Sequence, residues 1–208
     1  QASATTTVLA VTPSVTTPLA QSSIEIEVAD VKIAMNVPKG WRSQEARYGV
    51  LLVENAGYNH PSSKLSGMQV YVFVRGLNDF SIPVGTNSNS AWNILDHVVS
   101  KPDYVGDAAV SGPTGFRWMG HDVAYYLLHD SHSNLSLVLA MIMPQPERLV
   151  VFNVSCPEER AADLRMALPE LLSGLTLNDM TIDPSLVETL PDPLVFPAYE
   201  RVALPGGQ

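Results

Sequence analysis

Between Gly115 and Leu175 the chain carries three strand-length apolar runs, each closed by a turn, and then one amphipathic helix. Tyr125/Leu127, Leu137/Leu139/Met141 and Val150/Phe152/Val154 mark the runs. They are apolar on both faces, which places the strands in the middle of a sheet with a layer packed on each side. After them the period changes from two to three and four. Ala161, Leu164, Leu168, Leu171, Leu172 and Leu175 form the apolar stripe of a closing helix. Ser155 and Glu158 have capping-box spacing at its start, and Pro157 falls in the first turn, where a missing N–H does no harm. Pro169 lies inside the stripe and is expected to kink or split the helix.

The upstream half supplies more strands. Ile24, Ile26 and Val28 alternate with Glu25 and Glu27, the period-two pattern of a half-buried strand. After Ala29-Asp30 the alternation resumes with Val31, Ile33, Met35 and Val37, so the pair reads as a hairpin. Pro38-Lys39-Gly40-Trp41 then turns the chain. Gly49 to Glu54 is a short third strand, and Met68 to Arg75 a fourth, with Met68, Val70, Val72 and Val74 facing one way. The polar loop from Asn78 to Ser90 ends in a cluster of possible N-caps. Ala91, Trp92, Leu95, Val98 and Val99 follow at helical spacing until Pro102. The expected fold class is therefore α+β. A central, mainly antiparallel sheet is flanked by helices as an α/β/α sandwich, with extended N- and C-terminal tails.

Those tails differ in composition from the domain of residues 24–178. Residues 1–23 contain no charge and no aromatic side chain, six Thr, and Pro13 and Pro18. Such a segment buries too little apolar surface to offset its ordering entropy, and is expected to be a flexible Thr/Ser/Pro stalk. The chain opens on Gln1 rather than Met, as a processed or truncated start would. Residues 179–208 form a Pro-rich acidic strap in which only Arg201 is basic. Leu186, Val187, Leu190, Leu194, Val195, Phe196 and Tyr199 are more apolar than a solvated tail needs, so the strap is expected to lie on the domain or on a partner.

Pro38-x-Gly40-Trp41 after the hairpin, Gly120-His121-Asp122-Val123-Ala124-Tyr125 opening a central strand, and Leu175-Thr176-Leu177 after the closing helix together resemble the PsbP-like superfamily. Its members include the extrinsic photosystem subunit PsbP, LpqN-type envelope lipoproteins and a eukaryotic Ran-binding import factor. The resemblance spans about residues 24–178 and excludes both tails. It implies a fold whose members mostly bind proteins or serve as accessory subunits, with no shared catalytic residue to transfer.

Composition excludes some partners. Twelve Lys and Arg against 21 Asp and Glu give a formal charge of −9, and the basic residues are scattered singly. Nucleic acid and anionic headgroups both require clustered cations, so neither is expected as a ligand. The longest apolar run, Leu137 to Met143, is too short to cross a bilayer.

Candidate chemistry centres on His121-Asp122 and on His129-Asp130-Ser131-His132. With Val123 to Leu128 as a strand, the two groups sit about 25 Å apart at roughly 3.3 Å per residue and cannot share one site. His129, Asp130 and His132 could ligate a metal from a turn, but a polar turn rich in Asp, Ser and His explains them more simply. A Ser–His–Asp hydrolase lacks the G-x-S-x-G elbow. Cys156, the single cysteine, cannot form an internal disulfide; a helix start there would lower its thiol pKa, while a small buried core residue is the plainer reading. No catalytic, cofactor-binding or metal-binding residue is assigned, and no cofactor is expected. The edge strand Ile24–Val28 admits two readings: Glu25 and Glu27 guard it against aggregation, or it accepts a partner strand.

The functional expectation is a non-enzymatic, extracytoplasmic accessory subunit, periplasmic or at the cell surface. It would be peripheral to the membrane and bind and stabilise a larger membrane-associated protein assembly. Membrane contact would come only through an N-terminal tether or the partner, an integral-membrane complex. The alternative is a module binding a small apolar ligand or envelope lipid between sheet and helices.

Overall fold

The computed structural model describes residues 22–54, 63–79, 87–144, 147–186 and Leu190. The expected hairpin is present as β1 (Ser22–Val28) and β2 (Val31–Val37), paired from Ser22↔Val37 to Val28↔Val31. Ala29 and Asp30 both adopt left-handed backbone angles, φ 49° and 63°, as a two-residue hairpin turn needs to match the strand twist. Gly40 at φ 87° closes the next turn, in which the Trp41 N–H donates to the Pro38 carbonyl at 3.0 Å.

Beyond Trp41 the chain makes two strands where the apolar pattern suggested one, β3 (Arg42–Ala46) and β4 (Gly49–Val53). In β3, Arg42, Ser43, Gln44 and Glu45 are all exposed, so no alternation announces it; the hydrogen-bonded ladder to β4 defines it. Then come β5 (Gln69–Gly76), α1 (Ser90–Val99), the single turn α2 (Pro102–Val105) and β6 (Ala109–Trp118). The apolar pattern did not mark β6 either, because Gly112, Pro113 and Gly115 interrupt it and its register slips between Ser111 and Thr114. The long strands β7 (His121–His129), β8 (Asn134–Pro144) and β9 (Glu147–Pro157) follow, then α3 (Ala161–Ser173), β10 (Leu175–Leu177) and β11 (Met180–Thr181).

These strands build two antiparallel sheets, so the class is α+β. The larger has the order β3-β4-β5-β9-β8-β7-β6, and the smaller the order β1-β2-β10-β11. Alternate residues of the long strands serve two cores. Leu137, Leu139 and Met141 of β8, with Phe152 and Val154 of β9, meet Ile33 and Met35 of β2 and Leu164, Leu168 and Leu172 of α3. Val138 and Ala140 on the opposite face, with Val151, meet Ala91, Ile94 and Leu95 of α1. The two-faced apolar character read from the sequence is therefore real: the large sheet has a helix on one side and the small sheet plus α3 on the other.

Asn89 fastens α1 to that sheet. Its Oδ1 caps the helix by accepting the Trp92 N–H at 2.9 Å, while its Nδ2 donates to the carbonyls of Phe116 (2.9 Å) and Val123 (3.0 Å). Gly115 gives α1 room beside it: a Cβ there would come within 3.1 Å of Trp92 Cβ and 3.2 Å of Asn89 Nδ2, so those side chains would have to shift.

The closing helix departs from expectation at its start. Ser155 is still in β9, where its hydroxyl meets that of Ser136 at 2.7 Å, and Glu158–Arg160 form a separate 3-10 turn. No capping box forms, because strand pairing of Ser155 with Ser136 and Gln69 carries the backbone past the predicted boundary. Pro169 neither splits nor ends α3, which runs unbroken from Ala161 to Ser173. Past β11, Ile182, Leu186 and Leu190 are buried in the main core. The stalk reading of residues 1–23 falls outside the described residues except for Ser22 and Ser23, and so does most of the strap reading beyond Leu186.

Candidate functional site

β7 separates the two histidine groups as the strand length requires, with His121 opening it and His129 closing it. At the first end, His121 Nδ1 lies 3.1 Å from the Ile142 carbonyl, which can only accept, so the proton sits on Nδ1. Asp122 Oδ2 accepts the Ser90 N–H at 2.8 Å, holding the start of α1, and its Oδ1 lies 3.2 Å from Arg117 Nε. The two contacts hold His121 to β8 and Asp122 to the start of α1, while Asp122 Oδ1 is buried without a hydrogen bond.

At the other end, Asp130 is the frame of a turn. Its Oδ1 accepts the N–H groups of His132 (2.8 Å) and Asn134 (2.9 Å), and its Oδ2 accepts Asn134 Nδ2 (2.9 Å). The polar turn thus accounts for Asp130 directly. His129 Nε2 faces Glu158 Oε2 at 3.3 Å. Among the described residues, His, Cys, Asp and Glu nowhere gather in a group of three suited to a metal ion. The buried Asn134 also accepts the Leu65 N–H at 2.8 Å and donates to the Ser63 carbonyl at 3.0 Å, tying the segment before β5 to the start of β8.

Beside that turn lies a charged clasp that the sequence did not signal. Glu54 after β4 binds the Arg160 guanidinium and the Met68 N–H (2.9 Å), and Arg160 Nε donates to Asp163 Oδ2 at 2.8 Å. Partial desolvation alone would raise the Glu54 pKa, but hydrogen bonds from Arg160 and Met68 outweigh it and hold the carboxyl below its ordinary value. Arg160 and Asp163 are an i,i+3 pair, whereas Glu54 lies 106 residues away in the sequence. Cys156 sits at the end of β9 rather than at a helix start, fully buried. Burial pushes its thiol up to about 12, opposite to the shift a helix N-terminus would give.

The open surface feature is the edge of the small sheet. Val28 and Val31 flank the two-residue turn and form a hydrogen-bonded pair, so Val28, Ile26, Ile24 and Ser22 direct their backbone groups to β2. Ser23, Glu25 and Glu27 must then turn theirs away from it. The opposite flank of β2 agrees with this phase. Lys32 C=O accepts the Asn178 N–H at 2.7 Å, and the Asn36 N–H donates to Gly174 O at 2.9 Å. Among the described residues β1 pairs with β2 alone. Ile24, Ile26 and Val28 pack partly against the main core, while Glu25 and Glu27 are exposed, Glu25 with its carboxylate 2.6 Å from Lys32 Nζ.

No protein-family model matches the chain, and no curated protein matches its sequence. Solved structures do match. The solution structure of cyanobacterial PsbP (CyanoP) from Synechocystis sp. PCC 6803 is 12% identical, with 77% of this chain and 95% of that chain covered and a TM-score of 0.48. LpqN of Mycobacterium tuberculosis, involved in cell envelope biogenesis, is 12% identical over 76% of this chain and 91% of its own, with a TM-score of 0.44. The Saccharomyces cerevisiae Ran-binding protein Mog1p is 11% identical over 80% and 99%, with a TM-score of 0.45. The matches fall on the PsbP-like proteins that the Pro-x-Gly-Trp turn and the Gly120 strand start resemble. At these identities and TM-scores they transfer neither activity nor partner to this chain.

Proposed function

We propose that this protein is a non-enzymatic accessory subunit that binds and stabilises a larger membrane-associated protein assembly, working outside the cytoplasm and peripheral to the membrane. The observation that carries the reading is the contrast between its polar side chains and its edge. The carboxylates of Asp130 and Glu54 and one oxygen of Asp122 accept hydrogen bonds in turns and a clasp, and the thiol of Cys156 is buried in the core. The backbone of β1, in contrast, is a regular seven-residue strand that pairs on one side only among the described residues. Unpaired strand edges that alternate apolar and polar side chains are recognition surfaces for extended polypeptide.

Charge and composition support a protein partner. A net charge of −9 works against direct binding to nucleic acid or anionic lipid. Among the described residues no helix is long and apolar enough to cross a membrane, so in this reading membrane contact comes through the partner or an N-terminal tether. The uncharged Thr/Ser/Pro segment before β1 has the composition of a spacer, and the acidic Pro-rich segment after β11 would add a second clamp.

The test is a gentle detergent purification through a tag at Gln208, followed by mass spectrometry. Stoichiometric co-elution with an integral-membrane complex is expected. Recovery of the chain alone, in the soluble fraction, would overturn the reading.

A further inference from the structure

Among the described residues the two sheets end in four edge strands, and they are not equivalent. β11 is two residues long. β6 carries Pro113, which has no N–H, and a register slip beside it. β3 presents Arg42, Ser43, Gln44 and Glu45, all exposed, so neither of its faces could bury an added strand. Among these four, β1 alone joins a continuous register to an alternation of exposed and half-buried side chains, which runs from Ser23 to Val28.

From that edge we infer the chemistry of the occupant: an extended strand of a partner protein that alternates apolar with basic side chains. The inference rests on the accessory-subunit reading and assigns its contact. The outward N–H and C=O groups of Ser23, Glu25 and Glu27 supply the ladder. On the core side, an incoming strand sets its residues beside Ile24, Ile26 and Val28, which are only partly covered, so apolar side chains complete the layer. On the outer side, its residues stand beside Glu25 and Glu27. Lys32, which neutralises part of that charge, belongs to β2 and lies on the far side of them. Lys or Arg there gains opposite-charge cross-strand pairs, whereas Asp or Glu meets like charge.

The same argument disfavours a second copy of this chain. In the antiparallel β1–β1 register that opposes Ile24 to Val28 and buries the most apolar side chains, Glu25 and Glu27 of one copy stand opposite Glu27 and Glu25 of the other. Specificity would thus come from repulsion of acidic strands as much as from attraction of basic ones.

The full chain, ¹⁵N-labelled, is titrated with a short capped peptide alternating valine and lysine, and separately with its valine–glutamate counterpart. Binding of the lysine peptide at least about tenfold tighter is expected, since each charge pair of this kind shifts affinity by a few-fold. The shifts should centre on the amides of Ser23, Glu25 and Glu27, and the affinity should fall with added salt. Glu25→Pro removes an outward N–H and fills the approach path while leaving the bonds of Ile24 and Ile26 to β2 intact, and should abolish binding. Unchanged Ile33 and Met35 amides verify that the hairpin survives. The double variant Glu25→Lys/Glu27→Lys, which keeps the strand N–H groups, should reverse the peptide preference. Equal affinity for both peptides, or binding undiminished in Glu25→Pro, would overturn the proposal. So would binding that appears only after truncation beyond Leu190, because the edge would then belong to the chain's own C-terminal residues. In the tagged purification, equal recovery of a complex by wild type and Glu25→Pro would sink the edge assignment and leave the accessory reading standing. Recovery of no complex by wild type would sink the accessory reading itself.

Discussion

Replacing Asn89 by alanine removes three hydrogen bonds at the place where α1 meets the large sheet. The helix cap to the Trp92 N–H contributes about 1 kcal/mol, as N-cap asparagines typically do. The two bonds from Nδ2 to the Phe116 and Val123 carbonyls contribute about 1 kcal/mol each, because Asn89 is 9% exposed and water has little access to replace them. The sum is a loss of about 3 kcal/mol. Two further variants separate the parts. Asn89→Ser keeps an acceptor for the cap and loses only the two donors, so about 2 kcal/mol is expected. Asn89→Asp keeps the best cap but directs a carboxylate at two carbonyl oxygens, so it should destabilise at least as much as alanine at neutral pH. Urea unfolding followed by tryptophan fluorescence measures all three, with unchanged m-values licensing the comparison. An aspartate variant as stable as wild type would refute the reasoning, since capping alone would then explain the residue.

Three other outcomes follow from the same structure. Glu54 has a folded pKa below its ordinary value of 4.5, so its contribution is complete above that value and is lost as the pH falls through the folded pKa. Glu54→Gln should therefore flatten the acid limb of a stability–pH profile, and an unchanged slope would count against the clasp. Cys156, with its thiol pushed up to about 12, should react with an aromatic disulfide only in denaturant; labelling of the native protein within mixing time would contradict its burial. Leu186→Ala should cost about 2–4 kcal/mol in urea unfolding, because Leu186 is 3% exposed within the main core. A loss below about 0.5 kcal/mol would show that the chain after β11 is dispensable to the fold.

Much of the fold was legible because its signals are local. The β1–β2 hairpin, β5, α1 and the three long strands each carry a hydrophobic period over their own length, and the two-faced pattern of β7, β8 and β9 announced layers on both sides. β3 and β6 escaped for opposite reasons. β3 buries nothing that could set a pattern, and β6 is broken by the glycines and proline that let it pass under α1 and bend at the slip. Ser155 and Glu158 had the right spacing for a cap, yet the ladder to Ser136 competes for the same residues and wins.

For the proposed contact surface, local residues set the alternation of Ile24, Glu25, Ile26, Glu27 and Val28, the absence of clustered cations, and the separation of His121 from His129 by a strand's length. Each depends only on residues near one another in the chain. Tertiary structure alone decided that the hairpin leaves the large sheet to pair with β10, which occupies the far flank of β2 and makes β1 an edge. It also decided that Glu54 meets Arg160 and that Asn89 reaches the Phe116 and Val123 carbonyls. Periodicity records which face of a strand is buried, but it carries no information about which strand lies alongside, because backbone hydrogen bonds are the same whatever the side chain.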